Sequence, residues 1–189
     1  DTLKRMCQLD QSVESMTYDE LSRYRLMNTD CRIPLLTEVL KLVNGRVPLL
    51  IELKLPTSST ALCPLLDRLL ASYPGQYLIE SFNSLGLRWY RKHRPDILRG
   101  QLASRYPPAR GLTSLLNRLS TSLIVNAASR PDFVAYNYKH THGLGFRLNH
   151  GLFKVPVFVW TVRSRLAYQR CRRQYSAVIF ENFVPEQDS

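Results

Sequence analysis

Six short apolar runs alternate with helical patterns along this chain, and no other feature restricts its fold so far. The runs cover residues 46–54, 76–82, 97–103, 132–138, 155–162 and 177–182. Their cores are mostly hydrophobic instead of alternating, as strands covered on both faces must be. Strands that take turns with helices build a parallel sheet from βα units. Leu62, Leu65, Leu66, Leu69, Leu70 and Tyr73 recur at helical spacing. Thr57, Ser58 and Ser59 offer N-caps ahead of that stripe, and Pro74-Gly75 stops it. Residues 37–43 predict a short helix closed by Asn44-Gly45, and Thr17-x-x-Glu20 is a capping box opening another. The segment around Leu85 and Trp89, and residues 112–123 and 163–174, supply three more helices. Gly143, Gly145 and Gly151 interrupt any long helix in residues 139–154.

Two architectures accommodate repeated βα units: an open doubly wound sheet or a closed eight-stranded barrel. No G-x-G-x-x-G follows a strand and there is no P-loop, which removes the main support for a nucleotide-binding sheet. Six strands are too few to close a barrel of this kind. The sheet is therefore open, or two strands are absent from these residues.

The 189 residues suit a single domain with a sizeable core. Val47–Ile51 and Val155–Trp160 are the longest clean apolar stretches, far short of the ~18 residues a membrane span needs, so no integral membrane segment is expected. The chain opens Asp1-Thr2-Leu3-Lys4 with neither an initiator Met nor a signal-peptide pattern, consistent with a start inside a longer product. Cys7, Cys31, Cys63 and Cys171 lie far apart with no zinc-like spacing, which predicts reduced thiols in a cytoplasmic protein. A net charge of +11 invites a polyanionic partner. The basic residues cluster on expected helices, as in Arg88, Arg91, Lys92 and Arg94 and again in Arg163, Arg165, Arg170, Arg172 and Arg173. Solvated helix faces account for such runs. With no helix-turn-helix, zinc-finger or RNP signature, no nucleic-acid partner is expected.

Chemistry-bearing residues gather where the expected strands end. Glu52 and Lys54 lie two apart, so strand geometry turns both to one face. Glu52 suits a hard cation and Lys54 a phosphate, while a structural ion pair explains them equally well. Ser81-Phe82-Asn83 ends the next strand, and by itself reads as a strand exit with Asn83 capping the following helix. Trp160 lies in the fifth strand, where it either walls a pocket or packs, and its indole N–H needs an acceptor. His93 falls on a helix, His140 and His142 beside glycines, and His150 in the glycine-rich stretch. None stands at a strand end in a recognisable motif, so no general base is in evidence.

Taken in order, these pieces resemble the glycerophosphodiester phosphodiesterase family. Thr2-Leu3-Lys4-Arg5 is similar to the tail of that family's His-Asp-x-Thr-Leu-x-Arg stretch, and Ile33–Leu40 to its Pro-x-Leu-x-Glu-x-Leu helix start. Ile51-Glu52-Leu53-Lys54, Ser81-Phe82-Asn83, Arg99-Gly100 and Trp160-Thr161-Val162 complete the series across the chain. The resemblance implies a TIM-type (β/α) barrel with about six of its eight strands present, residues 1–189 forming one partial domain that lacks the first two strands. It implies hydrolysis of a small glycerophosphodiester to glycerol 3-phosphate and an alcohol, with a divalent cation, calcium or magnesium. Glu52 would be a metal ligand, and Lys54, Ser81, Phe82 and Trp160 would meet the substrate. The family's His-Arg-Gly, Glu-x-Asp and His-Asp stretches are not in these residues. Both acid/base histidines and two metal ligands are then expected upstream of Asp1, no catalytic residue is assigned within the chain, and the chain alone is expected to be inactive. The alternatives are a catalytically dead barrel used as a binding scaffold, or a phospholipase-like phosphodiesterase barrel.

Overall fold

The computed structural model describes residues 2–55, 57–103, 129–141, 146 and 155–185. They group into two compact units, residues 1–47 with 67–76, and residues 48–66 with 77–189.

Local capping shapes the first unit. Helices α1 (Lys4–Cys7) and α2 (Tyr18–Leu21) flank a 3-10 turn, Val13–Ser15. The capping box forms as expected. Glu20 Oε2 accepts from the Thr17 N–H at 2.8 Å, and Thr17 Oγ1 accepts from the Glu20 N–H at 3.4 Å. Helix α3 (Leu36–Val43) starts one residue earlier than predicted, because the Glu38 carboxylate reaches back to accept from the Leu35 N–H at 2.7 Å. Asn44 ends α3 in the left-handed region, and Gly45 follows at φ +73°. Gly75 must be a glycine for another reason: a Cβ there would stand 2.6 Å from the Gly45 Cα.

All six expected strands are present, and they are β1 (Leu49–Glu52), β2 (Tyr77–Ser81), β3 (Arg99–Ala103), β4 (Phe133–Asn137), β5 (Val157–Val162) and β6 (Ala177–Phe180). Every pairing is parallel, and the strands lie side by side in chain order, β1 to β6. This is the succession of staves in a TIM-type barrel, here forming part of one. The strands are shorter than their apolar runs. β1 and β5 begin directly after Pro48 and Pro156, which have no N–H to give a neighbour.

Helices α4 (Leu62–Leu70), α5 (Ser84–His93) and α6 (Arg165–Arg172) follow β1, β2 and β5. Asn83 caps α5 as predicted, its Oδ1 accepting from the Leu85 N–H at 2.9 Å. The leucine stripe of α4 is only partly buried: Leu66 and Leu70 are buried, with Cys63 beside them, whereas Leu62, Leu65 and Leu69 remain exposed. Of the basic residues read as a solvated surface, Arg88, Lys92, Arg163 and Arg172 are exposed and Arg91 is half-buried. They are spread over α5, the end of β5 and α6. The expected helix at 112–123, most of 139–154, His142 and His150 lie outside the described residues. Among the described residues, no helix is long and apolar enough to cross a membrane.

The middle strands β3 and β4 are buried on both faces, which fits the lack of alternation in their sequences. One face packs Val134, Tyr136, Val157 and Val159 together with Cys171 of α6. The other gathers Leu102, Phe133 and Ala135 with Leu78, Phe158 and Trp160. Gly100 belongs to this second face, where a Cβ would lie 2.0 Å from a ring carbon of Phe133. Phe133 is itself stacked on Phe158 at 4.3 Å and has nowhere to swing. Gly100→Ala should therefore lower stability by ~1–3 kcal/mol through overpacking. Chemical denaturation checks this, and adding Phe133→Leu should recover part of the loss.

Candidate functional site

Register decides which side chains meet. β1 pairs with β2 so that Glu52 stands opposite Glu80, and Glu80 in turn stands opposite Gly100 on β3. Partners across a parallel ladder point to the same face, and residues two apart along a strand share it. Leu50, Glu52 and Lys54 thus share a face with Leu78, Glu80 and Phe82. Continued through β3, β4 and β5, that face carries Leu102, Ala135 and Trp160. Four of the five candidates (Glu52, Lys54, Phe82 and Trp160) stand on this one side of the sheet, toward the carboxyl ends of the strands. Barrel enzymes build their sites on such a rim.

The curvature of the sheet draws the rim inward. β2 and β5 are three strand spacings apart, about 14 Å if the sheet were flat. The rings of Phe82 and Trp160 nevertheless meet edge to face with centroids 5.8 Å apart. The indole N–H of Trp160 finds the acceptor it needs, donating to the Ala135 carbonyl at 3.0 Å. That bond fixes the ring plane beside Phe82, which stays exposed.

Ser81 does not join this group. It is one residue from Phe82, so it points to the opposite face, where it is fully buried. Its hydroxyl donates to the Leu53 carbonyl at 2.6 Å and accepts from the Asn83 N–H at 3.0 Å. Asn83 adds bonds to the Leu55 and Thr57 carbonyls at 3.1 and 2.8 Å. Together they tie the exit of β1 to the exit of β2. In this geometry Ser81 holds the rim in shape instead of facing into it.

The charged end of the site is a trio. Lys54 Nζ lies 2.6 Å from Glu52 Oε1, with both side chains partly solvated. Next to them Glu80, which sequence reasoning passed over, is only 6% exposed. Its Oε2 is buried without a hydrogen-bond partner. Burial pushes the Glu80 carboxyl up to about 7; the neighbouring Glu52 charge adds to the rise and Lys54 opposes it. The signal was visible in part: a carboxylate inside an apolar run, two residues before Phe82, must share that residue's face. Its place beside Glu52 depends on register.

Of the four histidines, His93 and His140 are among the described residues. His93 is exposed on α5, stacked on Trp89 at 4.4 Å with Nδ1 2.9 Å from the Trp89 carbonyl oxygen. His140 is exposed in the 3-10 turn Tyr138–His140. Among the described residues no group of three or more His, Cys, Asp or Glu is placed to hold a metal ion. What the rim offers is a carboxylate pair, an ammonium and an aromatic wall. Such a set suits an anion and a hard cation bound together.

By sequence, no family model and no curated protein matches the chain. Solved structures do match. An Oleispira antarctica phosphodiesterase, in complex with the product sn-glycerol-3-phosphate, superposes with a TM-score of 0.69 at 17% identity, covering 95% of this chain and 72% of its own. A glycerophosphodiester phosphodiesterase from Parabacteroides distasonis gives 0.67 at 18% identity, over 89% of this chain and 68% of that one. The Thermotoga maritima glycerophosphodiester phosphodiesterase gives 0.62 at 20% identity, over 95% and 72%. Identities this low carry the fold alone, and that fold is the one described above: the chain forms part of a TIM-type barrel similar to the barrels of these phosphodiesterases.

Proposed function

We propose that this chain forms the phosphate-facing part of a metal-dependent glycerophosphodiester phosphodiesterase, releasing glycerol 3-phosphate and an alcohol in glycerophospholipid metabolism. One observation carries the reading: Glu52, Lys54, Phe82 and Trp160 share one face at the carboxyl rim of a parallel barrel sheet. In this proposal residues 1–189 act as a single partial barrel domain. The four cysteines are free thiols, which supports a reducing, cytoplasmic setting.

The residues fit a hard divalent cation, calcium or magnesium. Glu52 ends β1 with a partly solvated carboxylate, and a second carboxylate with an unpartnered buried oxygen stands beside it. When bound, the cation neutralises phosphate charge and polarises the phosphoryl oxygens. Lys54 brings an ammonium to the phosphate and adds charge-assisted hydrogen bonds. Phe82 and Trp160 present ring faces to the glycerol carbons and exclude water from that side. Ser81 acts from behind the rim, through the strand exits. None of the described residues is assigned as the acid or base of the proposed reaction, groups worth ~10²–10⁴-fold.

Calorimetric titration of the chain with sn-glycerol 3-phosphate in calcium tests the reading directly. Saturable binding is expected, weakened about 10- to 100-fold by Lys54→Met, in line with one lost charge-assisted contact. The 189 residues alone should hydrolyse no glycerophosphocholine. Absence of glycerol 3-phosphate binding in calcium would sink the proposal, while binding without any calcium dependence would favour an anion-binding scaffold.

A further inference from the structure

The most unusual group on this rim is the Glu80 carboxyl. Buried carboxylates are almost always paired, since removing an ionised group from water without a partner is expensive. Glu80 is enclosed, yet its Oε2 receives no hydrogen bond.

Its neighbours on the face explain why. Toward β1 stands Glu52, another acceptor. Toward β3 stands Gly100, over which the Phe133 ring sits. Along its own strand lie Leu78 and Phe82, both apolar. Lys54 is the one cation of the trio, and its ammonium is drawn onto Glu52 Oε1 at 2.6 Å. Ionised, the trio carries one uncompensated negative charge, concentrated between two adjacent strands. Two oxygen-bearing side chains on neighbouring staves with excess negative charge make a seat for a hard cation, which water and phosphate oxygens can complete.

We propose that Glu80 binds the same divalent cation as Glu52, its buried Oε2 supplying a second carboxylate ligand from β2. This rests on the reading of Glu52 as a ligand given above and extends it to a residue outside the motif series. Both ligands stand on hydrogen-bonded strands whose exits are tied by Ser81 and Asn83, so their separation is set by the sheet. With a cation held by Glu52 and Glu80, Lys54 would no longer neutralise Glu52 and would turn its ammonium toward the phosphate.

The test uses the full 189-residue chain, with terbium as a calcium-like probe excited through tryptophan and calcium as competitor. Wild type, Glu80→Gln, Glu80→Asp and Glu52→Gln are titrated, and far-UV circular dichroism without cation confirms that each is folded. Saturable terbium binding displaced by calcium is expected for wild type. Glu80→Gln should weaken it by about tenfold or more, and Glu80→Asp, which keeps the charge on a shorter stem, should recover part of the loss. Merely structural involvement of Glu80 would not distinguish Gln from Asp by charge. If Glu52→Gln weakens binding while Glu80→Gln leaves it unchanged, the inference is overturned and Glu52 stands. If neither substitution changes binding, or wild type binds no cation at millimolar calcium, both readings fall.

Discussion

Glu52→Gln should lower kcat/KM about a thousandfold or more in a protein where this chain is completed by the first two βα units of a glycerophosphodiester phosphodiesterase. The completed protein should release glycerol 3-phosphate from glycerophosphocholine only with calcium or magnesium present, and the chain alone should release none. Gln keeps the size of Glu52 and removes its charge, so the expected loss is that of a metal ligand, worth several kcal/mol of transition-state stabilisation. Unfolding does not explain such an effect. The Glu52–Lys54 pair is partly solvated on both sides, and pairs of that kind contribute about 0–1 kcal/mol. Removing the Glu52 charge also relieves its repulsion of Glu80. Release assays across cation concentration, with melting curves alongside, separate the two causes. Equal turnover by Glu52→Gln and its parent would show that this carboxylate holds no cation.

The barrel was legible because its determinants are local. Apolar runs alternating with helical patterns place the strands. Pro74-Gly75 stands ahead of the second, while Pro48 and Pro156 fall inside the first and fifth runs and set where β1 and β5 begin. Thr17, Glu20 and Asn83 mark helix starts by hydrogen bonds that close within three residues. The site was legible in outline for the same reason: Glu52 and Lys54 are two apart and must share a face. Period two also separates Ser81 from Phe82, although the motif keeps them together as letters. Two adjacent residues of an extended strand point to opposite faces, and here it is Phe82 that shares the side of Glu52 and Trp160. Glu80 shows the opposite limit. That it shares a face with Phe82 follows from spacing, but that it faces Glu52 follows from register between strands 28 residues apart. The α4 stripe fails similarly. Six apolar positions at helical spacing state that a face is apolar, and which of them are covered is decided by neighbours the stripe does not name.

Without cation, the protein should lose stability as pH rises from about 5 to about 8, and Glu80→Gln should remove most of that loss. The carboxyl of Glu80 titrates near 7 when folded, against 4.5 as its ordinary value, with burial the largest cause and Glu52 the next. Between those values the folded protein retains a proton that the unfolded chain has released. Stability therefore falls with rising pH, because the folded state binds more protons than the unfolded one. The contribution is fully present below about pH 4.5 and gone once pH passes through the folded value. A separation from 4.5 to about 7 corresponds to on the order of 3 kcal/mol, and Glu80 is buried enough for solvent screening to remove little of it. Gln cannot ionise, so the variant should melt close to wild type at pH 5 and about 5–10 °C above it at pH 8 in chelator. A constant offset between the two proteins would reflect only the exchange of a hydroxyl for an amide. The change in that offset with pH isolates Glu80 together with its coupling to Glu52 and Lys54, since titrating groups that do not interact with it cancel in the comparison. Parallel melting profiles across the window would mean that Glu80 ionises as readily folded as unfolded, and that its burial beside Glu52 costs nothing.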